Sequence, residues 1–79
     1  MSRQRALQVY SWDAPDMDPK IVMRIQRALA GRGFSPGEID GEFGGNTAAA
    51  VAAFQTVYGL VPDGQVGIQT ANALGIALE

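Results

Sequence analysis

The chain has 79 residues, a net charge of −2, no histidine and no cysteine. That length supports one small domain, which buries only about 60–65% of the surface of its unfolded chain and holds on the order of 5 kcal/mol of stability. The missing histidine and cysteine remove disulfides, most metal sites and both common nucleophile–base arrangements, and no cofactor is implied.

Residues 1–18 show no clean period. "ALQVYSW" reads as a short strand or an extended arm, and "DAPDMDP" as a turn-rich joint. The basic N-terminus has no apolar core region or small-residue cleavage site, so it is not read as a signal peptide. "DPKIVMRIQRALAGRG" is the first helix: Asp18 suits the N-cap, Pro19 suits the first turn, and Gly31 and Gly33 end it. Val22, Ile25 and Leu29 share one face at helical spacing, and Lys20, Arg24 and Arg27 form a basic stripe on the opposite face. After a loop, "TAAAVAAFQTVYG" is a second helix, capped by Asn46 or Thr47 and stopped by Gly59, with Thr47, Val51, Phe54 and Tyr58 on one face. Its apolar run is far shorter than the ~20 residues of a membrane span. "IQTANALGIAL" is a third, shorter helix. The expected fold is all-α: a three-helix bundle over residues 19–79 behind an N-terminal arm or linker, residues 1–18.

The six basic residues all lie within residues 1–32 with three acids, whereas residues 33–79 hold five acids and no base. This is not the broad basic surface that nucleic acid requires.

The loops before the second and third helices repeat one another. "IDGEFGGNT" and "PDGQVGIQT" both read Asp-Gly-x-(Phe or Val)-Gly-x-x-Thr, 23 residues apart from Asp40 to Asp63. Gly41 and Gly64 can take positive φ, and Asp40 and Asp63 can accept from amides just downstream. Phe43 and Val66 should pin each loop to the core. Gly44 and Gly67 should allow close packing, and Thr47 and Thr70 should meet free amides at the helix starts. The repeat is thus a structural corner. Two such corners can also build a shallow cleft for a polar, extended ligand such as a glycan or peptide.

The pattern Val22-x-x-Ile25-Gln26-x-x-Leu29, Gly33, "IDGEFG", Thr47, "AVAAFQ", "GL", "DGQVG", Thr70 and Leu74 resembles the three-helix peptidoglycan-binding domain family over about residues 20–77. The resemblance implies a small non-catalytic module that binds bacterial peptidoglycan, of the kind attached to cell-wall hydrolases and phage lysins. It also implies action at the cell wall or periplasm, and a duplicated loop–helix unit. On this reading Asp40, Gly41, Glu42, Phe43, Gly44, Thr47 and Gln55 are the candidate ligand-binding residues. If one corner alone touches ligand, Glu42 and Phe43 favour the first.

Glu38, Asp40 and Glu42 are the carboxylates closest to a glycosidase-like pair, but a glycine-rich loop in so small a domain gives them no water-excluding cleft. The first loop lacks the alternating ligands of a calcium loop, and the second offers only Asp63, so no metal is expected. The alternative function is a structural or docking module of a secretion, phage or envelope assembly. It would use the arm aromatics Tyr10 and Trp12 or the basic face Lys20, Arg24 and Arg27 for protein contact. The chain is expected to be a monomer. "VYSW" is expected to be ordered, because large aromatics are seldom left in a free tail.

Overall fold

A computed structural model describes residues 9–78, so the first eight residues of the arm lie outside the described residues. Three helices follow in order: α1, Pro19–Gly31; α2, Gly45–Val57; and α3, Ile68–Leu74. α1 packs against both of the others. Asp18 caps α1 as expected, its carboxylate accepting from the Lys20 amide at 2.9 Å with Pro19 at the first position.

All three helices end in the same way. The amide of Phe34 donates back to the Leu29 carbonyl, that of Leu60 to Gln55, and that of Ile76 to Ala71. The glycine before each of these, Gly33, Gly59 or Gly75, donates to the next carbonyl along. This double bond satisfies carbonyls that a helix end would leave bare, and it turns the following apolar residue inward. Phe34, Leu60 and Ile76 accordingly pack on the core.

The core is built from Ile21, Val22, Ile25 and Leu29 of α1, Ala50, Val51 and Phe54 of α2, Ala71 and Leu74 of α3, and the loop residues Phe43 and Val66. Phe34 meets the Phe54 ring edge-on at 5.7 Å between centroids. Tyr58 stacks on Phe54 at 4.3 Å while staying partly exposed. Arg32 ties the bundle across its end by donating to the Leu74 carbonyl at 3.1 Å.

Within "VYSW" the structure packs Tyr10 onto the helices. Tyr10 is 2% exposed and belongs to the core. Its amide donates to Val66 (3.0 Å) and its carbonyl accepts from Val66 (2.7 Å), a single antiparallel bridge and the only strand-like pairing among the described residues. Trp12, two residues on, is 62% exposed.

The starts of α2 and α3 differ from the sequence reading. α2 and α3 are capped by the backbone of Gly44 and Gly67, with no side-chain cap bond, and neither Asn46 nor Thr47 serves. Thr47 and Thr70 point inward, where their hydroxyls meet buried glutamines. Close packing does not explain Gly44 or Gly67 either. A Cβ at Gly44 would meet nothing within 4 Å, and one at Gly67 would only touch Val9 at 3.9 Å.

Candidate functional site

Each repeated loop is held by a buried glutamine from the helix before it. In the first corner Gln26 of α1 accepts from the amides of Asp40 (3.1 Å) and Gly41 (3.0 Å) through Oε1. Its Nε2 donates to the Glu42 carbonyl (3.0 Å), the Thr47 hydroxyl (3.1 Å) and the Asp40 carboxylate (3.2 Å). Thr47 passes the chain on by donating to the Pro36 carbonyl at 3.3 Å. Backbone amides can only donate, so they fix which end of the glutamine is oxygen.

The second corner repeats this arrangement with Gln55 of α2. Its Oε1 accepts from the Gly64 amide (2.9 Å), and its Nε2 donates to the Gln65 carbonyl (2.9 Å), the Thr70 hydroxyl (3.0 Å) and the Asp63 carboxylate (3.0 Å). In both corners the Asp closes the expected Asx turn, accepting from the amide two residues on, Glu42 or Gln65, at 2.9 Å. Gly41 and Gly64 sit at φ 79° and 73°, the left-handed conformation the turn demands. At Gly41 a Cβ would also fall 3.2 Å from both the Cβ and the carbonyl oxygen of Pro19.

Sequence reading found the Asp, Gly and Thr of each corner but not the pairing of Gln26 with Gln55. The signal was present: each Gln is followed by a helix end, a glycine, an apolar residue, a proline and Asp-Gly. It is hidden by spacing, because Gln26 lies 14 residues before Asp40 and Gln55 only 8 before Asp63. A single offset cannot align both loop and helix.

Outside each corner lies a shallow hollow. The first, about 280 Å³, is lined by Pro36, Glu38, Asp40, Glu42 and the start of α2 from Gly44 to Thr47. The second, about 340 Å³, is lined by the equivalent Asp63, Gln65, Gly67, Ile68, Gln69 and Thr70, together with Gln55, Val9, Leu60 and Val61. The repeat has therefore diverged in chemistry. The first hollow carries three carboxylates and no base; the second has one carboxylate and an apolar rim.

The seven candidate ligand residues fall into distinct places. Asp40 and Glu42 are exposed, and Gly41 and Gly44 are half-buried. Phe43 is in the core, and Thr47 and Gln55 are buried and hydrogen-bonded inside the protein. Gln55 serves the second corner, so the structure does not gather it with the other six; Gln26 takes that place in the first. Asp40's carboxyl is held below the usual aspartate range, first by the Glu42 amide and then by Gln26. Lys20, Arg24 and Arg27 are all exposed on α1, as their spacing predicts. No helix among the described residues is long and apolar enough to cross a membrane.

Residues 18–74 match the family described as "Putative peptidoglycan binding domain". The fold matches the crystal structure of the SleB N-terminal domain with a TM-score of 0.76 and 36% identity, covering 89% of this chain and 92% of that one. No curated protein matches. With residues 18–74 inside the family's pattern and 36% identity to the SleB N-terminal domain over most of both chains, the chain belongs to the peptidoglycan-binding domain family.

Proposed function

We propose that this chain is a non-catalytic module that binds bacterial peptidoglycan through the surface around its two corners. Family membership over residues 18–74 carries the reading. The geometry supports it: each corner is rigidly clamped from beneath by a glutamine, leaving a preformed, open hollow outside, as suits an extended polar polymer. Asp40 and Glu42 of the first hollow offer acceptor oxygens, while buried Phe43, Thr47 and Gln55 hold the surface in shape.

The state of Asp40 supports the non-catalytic reading. A glycosidase acid needs a carboxyl raised toward neutral pH, whereas Asp40 is pushed down and has its oxygen engaged by the Glu42 amide and Gln26. Docking through the arm has less to work with than the sequence alone offers, since Tyr10 is spent on the core. Purified protein should sediment with insoluble sacculi and leave their turbidity unchanged. Protein that stays in the supernatant would favour the docking role, and falling turbidity would overturn the non-catalytic assignment.

A further inference from the structure

Trp12 lies outside the stretch that matches the family and is the only tryptophan. It is not on a loose tail. Two residues before it, Tyr10 is buried and bridged to Val66 through both its amide and its carbonyl. Immediately around it the chain closes a turn, with the Ala14 amide donating to the Ser11 carbonyl at 3.2 Å. The indole lies over the start of α2: a Cβ at Gly45 would fall 3.1 Å from Cη2 and 3.4 Å from Cζ2 of the ring. Gly45 also lines the first hollow, so the ring stands beside that hollow while staying 62% exposed.

A rigid, exposed indole costs little entropy to engage, and its electron-rich face attracts the polarised C–H groups on the flat side of a pyranose ring. The adjoining hollow presents Glu38, Asp40 and Glu42, with no base among its lining residues. Those carboxylates accept from sugar hydroxyls and acetamido N–H groups, and they repel the carboxylates of a stem peptide. We infer that Trp12 is a stacking platform for an N-acetylhexosamine unit of the glycan strand, and that the first hollow receives the neighbouring polar groups. This rests on the proposed peptidoglycan binding and names the part of the polymer that is gripped.

The test compares wild-type protein with Trp12→Ala and Trp12→Phe on sacculi, and follows Trp12 emission in the wild type. Trp12→Ala should keep its thermal midpoint, because the side chain is mostly exposed, and bind sacculi about tenfold more weakly, as expected when a central aromatic contact is removed. Trp12→Phe should recover a substantial part of the affinity. The wild-type emission should shift on adding a peptide-free N-acetylglucosamine oligosaccharide and stay put with free stem peptide. Trp12→Ala binding within twofold of wild type, or emission that answers the peptide and not the oligosaccharide, overturns the inference while leaving wall binding intact. Wild-type protein that ignores sacculi altogether overturns the proposed function itself.

Discussion

Replacing Gln26 by leucine keeps roughly the same volume and removes every polar bond that the glutamine makes to the first corner, leaving the Asx turn of Asp40 in place. The amides of Asp40 and Gly41 lose their acceptor, and the Glu42 carbonyl loses its donor. Thr47 keeps only its bond to Pro36. A buried polar group left without a partner costs about 1–3 kcal/mol. The outer side of the corner is open, so water recovers part of this, and leucine adds some apolar burial. The net loss should be about 2–4 kcal/mol, against about 4–12 kcal/mol for a domain of this length. At about 4–8 °C per kcal/mol for a small domain, the thermal midpoint followed by circular dichroism should fall by roughly 10–25 °C. Gln26→Glu separates hydrogen bonding from packing: its shape is the same, but an oxygen replaces Nε2 opposite the Asp40 carboxylate. It should fall by a comparable amount. If Gln26→Leu melts within about 3 °C of wild type, the glutamine clamp does not hold the corner and the account of it is wrong.

Gly41→Ala should destabilise by about 1 kcal/mol or more from positive φ alone, and by more than Gly64→Ala, because the new Cβ meets Pro19 at 3.2 Å whereas at Gly64 the closest atom is the Ala48 carbonyl oxygen at 3.4 Å; equal urea midpoints would refute this ranking. Tyr10→Ala should cost about 3 kcal/mol, read by urea denaturation, since it empties a core position. Asp40 titrates lower when folded than unfolded, so its contribution is full above about pH 4 and is lost as pH falls through the depressed folded value. Asp40→Asn, which keeps an acceptor oxygen but cannot titrate there, should therefore show a flatter loss of stability below about pH 4 than wild type; parallel acid profiles would contradict the assignment.

Local chemistry made much of this molecule readable. The cap at Asp18, the apolar stripe of α1, the glycine stops after α1 and α2, and the Asp-Gly turns all depend on residues within a few positions of each other, and all stand as the sequence implies. What escaped depends on distant partners. Nothing near Tyr10 signals that its backbone will pair with Val66, and nothing near Thr47 signals that its hydroxyl will be claimed by Gln26 before it can cap α2. The third glycine stop, Gly75, was readable by the same rule as Gly33 and Gly59 but lies within an apolar run that masks the helix end. The candidate surface was half legible for a related reason. A motif lists residues without saying which face solvent, and Phe43, Thr47 and Gln55 turn inward while Asp40 and Glu42 turn out.

Equilibrium binding of the folded protein to purified sacculi, measured across a range of sacculus concentrations and repeated after the glycan has been cut to soluble fragments by a muramidase, tests the central claim most directly. Wild-type protein should pellet saturably with intact sacculi, release no fragments of its own, and return to the supernatant once the polymer is digested. Protein with a native circular dichroism spectrum that remains in the supernatant at every sacculus concentration would contradict the claim that this fold binds peptidoglycan.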